Sequence, residues 1–104
     1  MTRYWVDDRL VDVDDARVSV LDHGFTVGDG VFETIELRRG APFALRRHLE
    51  RLSRSAEGLG LEPPDPVEVA AAVAGVCAAW GTDPGRLRIT YTAGPGPMGS
   101  NRSR

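Results

Sequence analysis

The sequence contains no lysine. All thirteen of its basic residues are arginine, a bias expected of GC-rich coding sequence, and its consequence is chemical. No side-chain amine is present to form a Schiff base with a carbonyl, and a Walker phosphate loop, which requires a lysine, is excluded. Cysteine is almost as scarce. Cys77 stands alone, so neither an intrachain disulfide nor a zinc cluster of thiolates can be assembled. Its setting in GVCAAW marks it as a small buried apolar residue rather than a reactive thiol. No stretch approaches the roughly 18 to 20 apolar residues of a membrane span, and MTRYWVDDRL lacks the basic-then-apolar layout of a signal peptide. A cytoplasmic location is expected. The net charge of −2 gives no electrostatic basis for partners such as nucleic acid or an anionic membrane.

What is present fits one domain with a single core, complete or part of something larger, at 104 residues. Tyr4 to Val6 and Leu10 to Val13 read as short strands around Asp7 to Arg9, and Val18 to Leu21 as a third. HGFTVGDGVFET follows, His23 to Thr34. It admits two readings: a hairpin with Asp29 and Gly30 as the tight turn between FTV and VFE, or a loop in which Gly24, Gly28 and Gly30 let backbone approach a ligand. From Val31 to Leu37 the alternation puts Val31, Glu33, Ile35 and Leu37 on one face and Phe32, Thr34 and Glu36 on the other, neither purely apolar.

RRGAP reads as a turn. Leu45, Leu49, Leu52, Ala56 and Leu59 then form the stripe of an amphipathic helix that stops at Gly58 or Gly60. A second helix begins with Asp65 as N-cap, Pro66 at the first position and Glu68 three residues after the cap. VEVAAAVAGVCAAW is apolar nearly all round, which predicts burial, with Gly81 ending it. TDPGR places Pro84 and Gly85 as in a type II turn, and LRITYTA is a last strand. The expectation is an α+β fold: an antiparallel sheet with two packed helices over residues 1–93, then a loop or the start of a linker over 94–104.

Several candidate sites fail on inspection. GPGPMG, Gly94 to Gly99, matches a dinucleotide fingerprint in letters, but prolines at 95 and 97 remove backbone donors and no helix follows, so nucleotide binding is the weakest of three functional readings. The acidic run Asp12 to His23 has Arg17 where a calcium loop needs glycine. His23 and His48 are too isolated for a metal site. HLERL is different: on a helix His48, Arg51 and Ser55 fall within about 60° of one another along the flank of the leucine stripe. An arginine so placed is an ordinary surface residue, or one suited to holding phosphate or carboxylate bidentately.

DHGFTVGDGVFETIEL followed by HLERLSRSAEGLGL resembles the class IV aminotransferases, the fold-type IV pyridoxal phosphate enzymes, a group that includes branched-chain and D-amino-acid aminotransferases and 4-amino-4-deoxychorismate lyase. The resemblance runs from about Arg3 to Thr92 and covers the smaller N-terminal domain of that family. It implies that Arg51 holds the phosphate of pyridoxal 5′-phosphate, that Phe32 lines the substrate pocket, and that Val27, before GDG, faces substrate, often in a neighbouring subunit's site of a homodimer. Relatives carry the Schiff-base lysine and the glutamate that pairs with the pyridine nitrogen in a larger second domain. These 104 residues therefore read as a partial enzyme, inactive alone. GDG with FET resembles the lyase and D-amino-acid branches more than the branched-chain enzymes, with the lyase, which releases pyruvate and p-aminobenzoate for folate synthesis, in front. The rival reading is a non-catalytic module that dimerises.

Overall fold

A computed structural model of the chain describes residues 1–96. Strands β1 (Tyr4–Val6) and β2 (Arg9–Val11) pair as a separate antiparallel hairpin. A 3-10 turn over Val13–Asp15 and a short helix α1 (His23–Thr26) lead into β3 (Gly30–Arg38), the long central strand. Strand β4 (Ala41–Pro42), helices α2 (Leu45–Gly58) and α3 (Pro66–Trp80), and strand β5 (Gly85–Thr92) complete the order. The main sheet runs β4-β3-β5, antiparallel throughout. This is the expected α+β architecture.

Most of the elements follow from local chemistry. Arg39 and Gly40 both have left-handed backbone, at φ 52° and 79°, the type I′ geometry whose twist matches the flanking strands. Gly40 cannot be replaced cheaply, because a Cβ there would lie 2.8 Å from the carbonyl oxygen of Gly81. Gly40→Ala is expected to cost about 1 to 3 kcal/mol of stability, read from the midpoint of a urea transition at unchanged slope. Helix α2 ends as a Schellman motif: Leu61 N–H donates to Ala56 O, Gly60 N–H donates to Glu57 O, and Gly60 sits at φ 76°. In α3 the Asp65 carboxylate accepts from Val67 N–H at 2.9 Å, with Pro66 in the first turn.

The core lies between one face of the sheet and the helices. Ile35, Leu37, Val73, Cys77 and Leu87 form its centre, with Leu45, Val69, Val76, Trp80 and Ile89 packed around them. Leu52 and Ala56 of the predicted stripe are also buried. Gly75 lets the β1–β2 hairpin dock on α3, since a Cβ there would come within 2.6 Å of the Trp5 ring.

Five expectations need correction. The second strand ends at Val11, and Val13 opens the 3-10 turn. Val18 to Leu21 is not a strand; among the described residues no ladder forms along it, although Leu21 O accepts a backbone bond from Gly96 N–H, and Val18 and Val20 are exposed. The Asp29–Gly30 hairpin does not form, because FTV belongs to the turn around α1, capped by Asp22, while Gly28 carries the positive φ and Gly30 begins β3. Gly85 does not close a type II turn: it opens β5 opposite Leu37, without positive φ, against the Trp80 ring. Finally, α3 is fully buried only at Val73 and Cys77; the β1–β2 hairpin covers part of its other side at Gly75, while Val67, Ala71, Ala74 and Ala78 stay exposed. The segment 94–104 is described only as far as Gly96, and the rest of GPGPMG lies outside the described residues.

Candidate functional site

The alternation of β3 has a chemical result. Glu33 falls in the same register as Ile35 and Leu37, so its carboxylate is carried to the core face and is only 6% exposed. A buried carboxylate requires partners, and α2 supplies two from one flank, three residues apart. His48 Nδ1 lies 2.6 Å from Glu33 Oε1, where an N–H donates to the acceptor-only carboxylate. Arg51 Nε lies 3.6 Å from Oε2. The Arg51 side chain is nonetheless 62% exposed. Its guanidinium is approached on the Nε edge by the acid, and most of the side chain is open to solvent.

A second cluster surrounds the glycine-rich stretch. Asp22 Oδ1 accepts from Gly24 N–H at 2.8 Å, and Oδ2 accepts from the Thr92 hydroxyl at 3.0 Å. Thr92 Oγ1 in turn accepts from Gly94 N–H at 3.1 Å. Backbone bonds from His23 N–H to Gly94 O and from Ala93 N–H to Asp29 O tie the loop to the chain leaving β5. Gly24 is required by this closeness, since a Cβ there would collide with Thr92 Cγ2. The buried His23 ring places Nδ1 3.6 Å from Asp29 Oδ2. Beside the loop an open cleft of about 910 Å³ is bordered by Trp5, Arg17, Phe25, Phe32, Arg88 and Tyr91. Arg88 lies over the Phe32 ring at 4.1 Å from its centroid.

The predicted residues are thus distributed. Arg51 belongs to the Glu33 face of the sheet, and Phe32, one position earlier on β3, points to the opposite face. Val27 ends α1 and is 38% exposed, outside the lining of the cleft. Glu33, Asp22 and Thr92 were not singled out by sequence reasoning. For Glu33 the signal was available: an acid in the apolar register of a strand, with a histidine and an arginine three apart on the next helix. Cys77 is buried, and burial pushes its thiol up. Alkylation at pH 8 is therefore expected to be slow in the native chain and fast in denaturant; rapid native labelling would contradict that placement.

Residues 30–104 match the family model described as Amino-transferase class IV. The chain belongs to the class IV aminotransferase family. Among curated members it is 47% identical to the aminodeoxychorismate lyase of Bacillus subtilis over 58 residues, 56% of this chain and 20% of that protein. It is 40% identical to the D-alanine aminotransferase of Staphylococcus epidermidis over 62 residues, 60% of this chain and 22% of that protein. Among solved structures, the fold IV-transaminase CpuTA1 of Curtobacterium pusillum superposes with a TM-score of 0.78 at 36% identity, over 84% of this chain and 32% of that one. The PLP-bound form of a hypothetical aminotransferase from Mycobacterium tuberculosis gives 0.78 at 31% identity, with the same coverage of both chains. The branched-chain aminotransferase of Thermoproteus uzoniensis gives 0.76 at 36%, over 88% and 33%. This class IV member therefore spans about a fifth of the length of these curated relatives and a third of these solved chains, and its antiparallel α+β unit is shared with fold-type IV enzymes.

Proposed function

We propose that this chain is the N-terminal domain of a pyridoxal 5′-phosphate enzyme of the aminodeoxychorismate lyase type, with Arg51 holding the cofactor phosphate, Phe32 bordering the substrate, and Val27, outside the cleft, facing substrate in a neighbouring subunit's site. The observation that carries the reading is the largely exposed Arg51 side chain, with Nε 3.6 Å from the buried Glu33 carboxylate. A largely exposed arginine matches a phosphate in charge and in bidentate geometry. The residues here fit the phosphate end of the cofactor, whereas the amine that bonds its carbonyl is not among them, because the sequence has no lysine.

When bound, pyridoxal phosphate supplies an electron sink for carbanion chemistry. This chain's contribution is to bind and to shape. Arg51 fixes one end of the cofactor, and the loop around Gly24, Gly28 and Gly30, stitched to Thr92 and Gly94, forms a rigid wall beside a cleft. A small amino or amino-keto acid substrate, a homodimer and a cytoplasmic site of action belong to the same proposal. The lean to the lyase subtype rests on GDG with FET, since identities of 47% to a lyase and 44% to both a branched-chain and a D-alanine aminotransferase lie too close together to choose. A transaminase acting on D-amino or branched-chain amino acids is the alternative within the family. The non-catalytic dimerising module is the alternative outside it.

Reading the gene past the codon for Arg104 separates these. The enzyme proposal expects an open frame that encodes a lysine and a glutamate placed for the cofactor, and a product that forms pyruvate and p-aminobenzoate from aminodeoxychorismate. Amino-group exchange with a keto acid instead would move the assignment to a transaminase. A stop codon directly after Arg104 would overturn the enzyme reading.

A further inference from the structure

We infer that Glu33 is a positioning residue for phosphate binding: its buried carboxylate, shared between His48 and Arg51, sets the direction of the Arg51 fork. The inference rests on the reading of Arg51 as the phosphate anchor. Strand β3 delivers Glu33 to the core face, where its side chain is 6% exposed and has lost nearly all contact with water. Oε1 is hydrogen-bonded to one residue of α2, and Oε2 faces a second at ion-pair distance. His48 Nδ1 meets Oε1 at 2.6 Å, which leaves Oε2 directed to Arg51 Nε at 3.6 Å.

An arginine offers five N–H donors in one rigid plane. An acid on its Nε edge therefore constrains the orientation of the whole plane and turns the terminal pair of nitrogens away from β3. A surface arginine that grips an anion ordinarily gives up rotamer freedom to do so, and an arm already restrained gives up less. Electrostatics alone argues against a carboxylate here, because a negative charge beside the guanidinium lowers its attraction for phosphate. Orientation is the benefit that remains, and His48 contributes by holding the acid itself.

The test compares pyridoxal 5′-phosphate with pyridoxal, which lacks the phosphate, in fluorescence titrations of the complete gene product. Glu33→Gln keeps the size of the side chain and removes its charge. The preference for the phosphorylated ligand is expected to fall about tenfold with pyridoxal affinity unchanged, and in an Arg51→Ala background Glu33→Gln is expected to have no further effect on that preference. Equal weakening of both ligands, or an undiminished preference in Glu33→Gln, would overturn the inference while leaving Arg51 as the anchor. A wild-type protein that does not prefer the phosphorylated ligand, or an Arg51→Ala variant that keeps the preference, would overturn the reading beneath it. If Glu33→Gln does not fold, Glu33→Asp provides the same comparison. Its carboxylate is drawn back by one methylene, so part of the preference should be lost, and full retention would overturn the inference.

Discussion

Arg51→Ala is expected to weaken binding of pyridoxal 5′-phosphate by the complete gene product about 10- to 150-fold, the equivalent of losing about 1.5 to 3 kcal/mol from charge-assisted hydrogen bonds. The effect should fall on the phosphate and not on the fold. The Arg51 side chain is 62% exposed, so its truncation leaves no cavity, and the buried Glu33 carboxylate keeps its shorter contact to His48. The thermal midpoint of the apoprotein should accordingly move little while the cofactor dissociation constant rises. Arg51→Lys separates charge from shape: a lysine restores the positive charge without the planar fork, so recovery should be partial. An unchanged dissociation constant in Arg51→Ala would remove Arg51 from the cofactor site.

The parts of this fold that were legible in the sequence are those in which a single local rule has no competitor. The stripe of Leu52 and Ala56, the Asp65–Pro66–Glu68 start of α3 and the alternation of β3 each follow from periodicity or capping, and each is formed. Where two rules competed, tertiary context chose. Asp29–Gly30 is a good hairpin pair, but Asp22 caps α1 and also receives the Thr92 hydroxyl from a strand 70 residues away. No window around Gly30 contains that bond. Gly85 looked like a turn glycine because of its proline neighbour, whereas its place is set by the Trp80 ring and by pairing with Leu37. The apolar composition of α3 was legible, but burial depends on how many layers surround a helix, and composition does not state that number.

The site was legible by halves. HLERL placed His48 and Arg51 on one helix flank from spacing alone, which left Arg51 an ordinary surface residue or an anion holder, and the family resemblance supplied the expected phosphate. Glu33 was in view as a polar interruption of an apolar face, yet its role needs the distance between β3 and α2, which no single-element pattern supplies. The same alternation that buries Glu33 sends Phe32 to the other face, toward the cleft beneath Arg88. One strand therefore carries the Glu33–Arg51 ion pair on one side and an aromatic wall of the cleft on the other.

The centre of β3 is buried between these two uses, and Ile35→Ala is expected to cost about 2 to 5 kcal/mol of stability. Ile35 is fully buried among Leu37, Val73, Cys77 and Leu87, so truncation removes apolar transfer energy and leaves a void in a close-packed core that β3, paired with β5 from Gly30 to Leu37, closes only in part. Against a total of about 5 to 15 kcal/mol for an ordinary domain, such a loss would bring the chain close to unfolding at growth temperature. Urea denaturation measures it directly, and Thr34→Ala supplies the control. Thr34 is the exposed neighbour on the same strand, so its truncation should stay within about 0.5 kcal/mol of wild type. A similar cost at both positions would mean that strand propensity and not core packing sets the stability of β3. A large cost at Ile35 alone identifies the packed face as the support on which the Glu33 carboxylate, two residues away on that face, is held.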